Sequence, residues 1–178
     1  MSLAFIGLGS NLGEGRSNLR EAWSALGKEE GVSTLALSSP YLTRPVAKDS
    51  WKKEGRILSE QWFTNAVGVL ETALSPLELL KVMQEIESKQ GRDRKKTVDR
   101  VLDLDILYYD ELVYLDELLE LPHPEIKNRL FVLAPLDELA PDRQHPVSGM
   151  TTRQMRRALP DLLDKDIRRM TWQDKTSP

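Results

Sequence analysis

The chain has 178 residues, a formal net charge of −3, 40% apolar and 30% charged content, and no cysteine. That length and balance suit one soluble globular domain and exclude a disordered chain. The absence of cysteine excludes a disulfide framework, a thiolate nucleophile and a thiolate metal site. The apolar start, MSLAFIGLGSNLG, is too short for a membrane span and lacks the basic segment of a secretion signal, so a cytoplasmic protein is expected.

Leu3 to Leu8 reads as a first strand that stops at glycine. The following GLGSNLG (7–13) has the spacing G-x-G-x-x-x-G, not that of a dinucleotide loop, and no Gly-Lys-Ser/Thr follows as in a P-loop. A tight turn accounts for its glycines, although their backbone could also approach a ligand. Leu19, Ala22, Trp23 and Leu26 recur at helical spacing before Gly27. Residues 32–46 read as extended, and a long polar loop follows, up to residue 61. WFTNAVGVLET (62–72) alternates as a strand does. In it Asn65 is either a satisfied structural amide or a group facing a ligand. Ser75-Pro76-Leu77-Glu78 is a capping box with proline at the first helical position, and Leu79, Leu80, Met83 and Ile86 form the stripe of the helix it starts.

Residues 101–109, VLDLDILYY, are a fourth strand with two aspartates in it. The order strand, helix, strand, strand, helix, strand predicts an α+β, ferredoxin-like βαββαβ core, with helices on one face of an antiparallel sheet. Residues 121–139 read as a loop leading into a short helix, 150–159 as helical, 167–172 as a last strand, and the final DKTSP as frayed. The expected organisation is a single domain, with a core at about 2–141 and a C-terminal extension at 142–178.

Aspartate is a poor strand former, and an uncompensated buried carboxylate is costly. Strand alternation puts Leu102, Leu104 and Ile106 on one face and Asp103 and Asp105 on the other. The two carboxylates then lie about 7 Å apart and repel by roughly 2 kcal/mol at an effective dielectric near 20. A divalent cation reverses the sign of that term. An oxygen-only site with few protein ligands suits Mg²⁺, which takes water and phosphate oxygens for its other positions. The alternative is a sheet face that merely carries aspartates. The preceding segment KQGRDRKKTVDR (89–100) is either a solvated charged loop or a set of cations for a phosphate-rich ligand. His123 lies in a proline-bracketed loop ahead of Lys127 and Arg129; it is either a structural histidine or, in the company of those two cations, a phosphate ligand. His145 has no such company and reads as a surface residue.

SNLG, SSPYLTRPV, FTNAV, QEIESKQGR, RVLDLDIL and LPHPEIKNRLFVLAPL occur here in the order seen in the 6-hydroxymethyl-7,8-dihydropterin pyrophosphokinase family, and the chain resembles that family over roughly residues 4 to 141. The resemblance implies a ferredoxin-like fold and transfer of diphosphate from MgATP to the hydroxymethyl group of 6-hydroxymethyl-7,8-dihydropterin, with release of AMP, in folate biosynthesis. It implies that Asp103 and Asp105 bind two Mg²⁺. It also implies that Gln84, Glu87, Arg92, Lys95, Arg100, His123 and Arg129 lie around ATP. Arg92 and Arg100, from their place in or beside the basic segment, are expected to stabilise charge on the transferred group. Thr43, Pro45, Val46, Phe63, Asn65 and Phe131 match the pterin pocket. No membrane or nucleic-acid partner is implied, and a monomer is expected.

The chain departs from the family pattern in three places. Thr97-Val98-Asp99 precedes Arg100 where many members have Trp-Gly-Pro, the loop around residues 47–61 is longer and holds Trp51 as a candidate replacement lid, and Leu118 stands where an arginine is frequent. Two competing readings remain at this stage. One is another Mg-dependent phosphoryl- or nucleotidyltransferase on the same fold, which would release a different by-product. The other is an RNA-binding module of that fold, which presents aromatics rather than aspartates on its central strands.

Overall fold

The structure, a computed structural model, describes residues 1–44, 62–91, 101–160 and 165–173. The expected loop at 47–61, the Trp51 lid, most of the basic segment and the final DKTSP lie outside them.

Strands β1 (Ser2–Ser10), β2 (Val32–Leu37), β3 (Tyr41–Thr43), β4 (Phe63–Thr72) and β5 (Asp103–Tyr109) alternate with helices α1 (Gly15–Leu26) and α2 (Pro76–Lys89) in the βαββαβ order, β2 and β3 together taking the place of one strand because they pair successive halves of β4. All pairings are antiparallel. The sheet runs β5-β1-β4-β3, with β2 pairing the other half of β4. This is the ferredoxin-like arrangement that the element order predicts.

Helix α2 begins as its sequence requires. The Ser75 N–H donates to Glu78 Oε2 at 2.8 Å, while the Glu78 N–H donates back to Ser75 Oγ at 3.4 Å. Both helices bury one stripe on the same sheet face. Leu19, Ala22 and Leu26 of α1 meet Leu79, Met83 and Ile86 of α2 over Ala4, Ile6 and Leu8 of β1 and Leu104 and Ile106 of β5. At roughly 1.5–3 kcal/mol per large buried side chain, this layer carries much of the stability.

The opposite face has its own cover. Helix α3 (Leu130–Leu139) and helix α4 (Thr152–Arg157) close a second core of Phe5, Val67, Leu107, Tyr108, Leu133, Leu136 and Met155. A β-bulge makes this face possible. The β1–β5 register shifts between Phe5 and Ile6, so the consecutive residues Leu107 and Tyr108 both point into the second core. A short hairpin, β6 (Tyr114–Leu115) with β7 (Glu120–Leu121), leads to a 3₁₀ turn at Ile126–Asn128 and then to α3. A final strand, β8 (Ile167–Arg169), extends the sheet beyond β3.

Two sequence expectations are corrected. His145 is not a surface residue: it is 6% exposed and meets Tyr108 edge-on, with ring centroids 5.8 Å apart. Its loop folds back on the sheet because Arg143 stacks on both Phe5 and Tyr108, at 4.8 and 4.5 Å from their centroids. Gly7 and Gly9 are not in a turn. Both lie within β1, and only Gly13, with φ +67°, has the backbone of a glycine turn.

Candidate active site

Cross-strand registry builds the site. Gly9 pairs with Asp103 on one side and with Asn65 on the other, and Asn65 pairs with Tyr41. Asp103, Gly9, Asn65 and Tyr41 therefore form one row across β5, β1, β4 and β3. The next row is Asp105, Gly7 and Val67, and beyond the first lies the pair Thr43 and Phe63. These residues share the face opposite α1 and α2. The carboxylates and Asn65 are separated by one strand, about 10 Å across the sheet. That intervening strand presents glycine at both positions: Gly9 leaves a gap between Asp103 and Asn65, while the space over Gly7 is taken by Leu107, whose Cδ2 would lie 3.3 Å from a Cβ there. A Cβ on Gly9 would lie 3.1 Å from Asn65 Oδ1 and 3.9 Å from Asp103 Cβ, in the middle of that gap. On the same strand, Ala4, Ile6 and Leu8 fill the other parity. A period-two glycine pattern opposite large apolar residues was the signal in the sequence for this clearing.

Each expected site residue can now be located. Asp103 and Asp105 are half-buried on the predicted face, while Leu102, Leu104 and Ile106 are buried beneath it. Among the described residues no group of three or more histidines, cysteines or carboxylates forms a metal cage. The donor set is two half-buried carboxylates beside the gap at Gly9, which fits a hard cation that keeps water and phosphate oxygens as its other ligands.

Asn65 is 6% and Thr43 4% exposed, and Asn65 Nδ2 donates to Thr43 Oγ1 at 2.7 Å. That bond fixes the amide's orientation, with the oxygen turned toward Gly9. Phe63 and Phe131 are half-buried. Arg129 stacks over Phe131 at 5.6 Å and lies 3.7 Å from Glu125, so one stretch brings a cation and a ring to the same place. His123 is tied down by its backbone N–H, which donates to Leu107 O at 3.0 Å, and its Nδ1 accepts from the Glu125 N–H at 3.2 Å. The neutral ring then carries its proton on Nε2. Gln84 is exposed on α2. Arg92, Lys95, Arg100, Pro45 and Val46 lie outside the described residues. Leu118 is 76% exposed, in the turn between β6 and β7.

Glu87, expected near ATP, lies on α2 against β5. It is 1% exposed, and its Oε1 accepts the Leu104 N–H at 2.8 Å. Among the described residues β5 is the edge of the sheet, with no strand there to receive that N–H. The carboxylate supplies the missing acceptor and ties α2 to the residue between the two aspartates.

Both histidines titrate below the ordinary value. Burial lowers His123 most, with Arg129 adding to it, against the pull of Glu125, Asp103 and Glu120. Burial also lowers His145 most, then Lys127, with Arg143 adding to it. A group that binds its proton more weakly when folded lets the unfolded chain take up more protons on acidification. The stability this contributes is complete above pH ~6.5 and declines below it. The urea midpoint is expected to fall between pH 7 and pH 5, and His145→Gln should flatten that slope. An equal slope in the variant would assign the pH dependence elsewhere.

A family model described as 7,8-dihydro-6-hydroxymethylpterin-pyrophosphokinase (HPPK) matches residues 5–141. A 2-amino-4-hydroxy-6-hydroxymethyldihydropteridine pyrophosphokinase of Methylorubrum extorquens is 37% identical over 155 residues, 86% of this chain and 91% of its own. The protein of that name from Bacillus subtilis is 35% identical over 154 residues, 86% of this chain and 87% of its own. Among solved structures, an HPPK-DHPS in complex with substrates superposes with a TM-score of 0.73 at 14% identity, over 94% of this chain and 46% of that one. A Plasmodium falciparum HPPK-DHPS with pterin and p-hydrobenzoate gives 0.71 at 16% identity, over 94% and 47%. The chain spans a little under half of those longer chains, and they share its fold. The residues matched by the family model run from β1 to just past α3 and include the whole Asp103–Gly9–Asn65 row, and the chain belongs to the HPPK family, the pyrophosphokinases of folate biosynthesis.

Proposed function

We propose that this chain transfers diphosphate from MgATP to the hydroxymethyl oxygen of 6-hydroxymethyl-7,8-dihydropterin and releases AMP. The observation that carries the detail is the row Asp103–Gly9–Asn65, which sets a carboxylate pair and a buried, oriented amide on either side of a cleared strand. Asn65 and Thr43 read the polar edge of the pterin, and Phe63 and Phe131, with Pro45 and Val46, close on its ring. The hydroxymethyl group then points across Gly9 toward Asp103 and Asp105.

These two aspartates would hold two Mg²⁺, whose chemistry is to neutralise phosphate oxygens and to acidify the attacking hydroxyl. His123 donates from Nε2 and Arg129 from its guanidinium to phosphate oxygens, while Gln84 lies toward the nucleotide. Arg92, Lys95 and Arg100 supply the remaining positive charge, and Glu87 acts from behind by holding β5. The pterin oxygen bonds to the β-phosphorus, the bond from that phosphorus to the oxygen bridging to the α-phosphate breaks, and AMP leaves. The hydroxyl proton passes to solvent. Catalysis rests on position and charge, with no covalent intermediate.

No described helix is long and apolar enough to cross a membrane. The reading has the enzyme act as a cytoplasmic monomer, without nucleic acid. No observation favours a simple kinase, a nucleotidyltransferase or an RNA-binding module.

AMP release from MgATP, measured with and without the reduced pterin, tests the reaction. Pterin-dependent AMP is expected; ADP or diphosphate as the by-product would replace it with another transfer. Gly9→Val tests the geometry. Valine suits a strand, but its side chain would fill the gap between Asp103 and Asn65. The pterin KM should rise at least ~30-fold, about 2 kcal/mol of lost binding. An unchanged pterin KM in the folded variant would place the pterin elsewhere.

A further inference from the structure

We propose that the C-terminal strand β8 and its flanking residues are a positioning element for pterin recognition, acting through β3; this rests on the reading of Thr43 and Asn65 as pterin contacts. Strand β3 is only three residues long, yet it carries Thr43, the acceptor that orients the Asn65 amide. A strand that short holds its conformation poorly with one neighbour. Here both of its edges are occupied. β4 pairs with one, and β8 with the other, in the register Tyr41↔Arg169, Leu42↔Arg168 and Thr43↔Ile167.

Contacts at both ends of the pairing lock it. The Arg44 N–H donates to Asp166 O at 3.0 Å, and its guanidinium lies 3.4 Å from the Asp166 carboxylate and over the Trp62 ring at 5.3 Å. Residues 44 and 62 directly follow β3 and precede β4, so this contact joins the outer ends of both pterin-facing strands. At the other end, the Met170 N–H donates to Pro40 O at 2.8 Å, and Trp172 Nε1 donates to Ser38 O at 2.9 Å.

A charged knot sits between these ends. Glu138 of α3 accepts from the Ser39 N–H at 2.9 Å, from Ser39 Oγ at 3.0 Å and from the Tyr41 hydroxyl at 2.9 Å. Arg169 of β8 lies 3.2 Å from the same carboxylate and donates from Nε to Ser39 Oγ at 3.0 Å. Burial acts to raise the Glu138 pKa, but the bonds from Ser39 and Tyr41 and the charge of Arg169 hold it below the usual range, so it stays ionised. Tyr41 occupies the same row as Asn65. Arg16 and Arg20 of α1 reach the carbonyls of Thr171 and Trp172 at 3.2 and 3.1 Å, anchoring the strap to the opposite side of the molecule. Strand β8 and its flanking residues are thus tied to the amide half of the site, through β3.

Steady-state kinetics of AMP release by the full chain, with each substrate varied, test this. Arg169→Ala should raise the pterin KM roughly tenfold, the effect of losing one charge-assisted contact. The ATP KM and kcat should stay within about twofold. Arg168→Ala, an exposed change one residue away, should alter neither KM. In a Thr43→Ala background, Arg169→Ala should add little, since its effect passes through Thr43. Should Arg169→Ala fail to fold, Trp172→Phe, which removes the bond to Ser38 and keeps an aromatic ring against the first core, gives the same split in a milder form. Equal changes in both KM values, no change in either, or full additivity with Thr43→Ala would overturn the proposal. Asn65→Ala separates the two ideas. If it leaves the pterin KM unchanged, the pocket reading falls and takes the strap with it. If it raises that KM while Arg169→Ala and Trp172→Phe do not, the strap alone falls.

Discussion

Asp105→Asn is expected to reduce pterin-dependent AMP release by at least ~10³-fold, the scale at which phosphoryl-transfer sites respond to loss of charge stabilisation. Asparagine matches aspartate in size, and residue 105 is half-buried, on the strand face away from the first core. The thermal midpoint should therefore change little while turnover collapses. Asp103→Asn should behave alike, and the double variant should be hardly worse than either single one, because the two carboxylates act as a unit. The measurement is kcat with both substrates saturating, beside a circular-dichroism melt. A folded Asp105→Asn enzyme with an unaltered rate would remove the metal role of this strand.

Gly68→Ala is expected to lower stability by about 3 kcal/mol, at the upper end of the usual cost of overpacking. Gly68 lies in β4 beneath α1, and a Cβ there would come 2.3 Å from Trp23 Cζ3 and 2.4 Å from Cη2. The tryptophan ring is broad and rigid, and it packs against the first core, so relief requires α1 to shift. For a chain of this size that corresponds to a fall of roughly 6–12 °C in Tm. Trp23→Leu in the Gly68→Ala background should restore part of the loss. A melt unchanged by Gly68→Ala would show that α1 does not sit on β4 in this way.

The two variants probe opposite faces of one sheet, and they differ in how far the sequence announces them. Asp105 is visible as a carboxylate breaking the apolar pattern of VLDLDILYY. The need for glycine at position 68 is invisible, because nothing local links it to a tryptophan 45 positions earlier. The same contrast holds across the site. His123 with Arg129 is legible, since both belong to one short loop. His145 looks like a surface residue until Arg143 stacks on Phe5 and Tyr108 and folds its loop onto the sheet. Glu87 matches a family position near ATP by resemblance alone, whereas the packing of α2 against β5 gives it the Leu104 N–H to satisfy.

The sequence by itself determined what depends on neighbours along the chain. The period of apolar residues set the strands and helices, the Ser75–Glu78 box set the start of α2, and strand alternation set Asp103 and Asp105 apart from the apolar face. The ordered motifs from SNLG to LPHPEIKNR pointed to the family. Only the tertiary structure decided what depends on pairing between distant segments. It put Gly9 between Asp103 and Asn65 and so left a gap there, covered the second face with α3 and α4, and laid β8 along β3. The physical reason is that side-chain periodicity within a strand is local, whereas the register between strands is settled by the packing of both sheet faces at once.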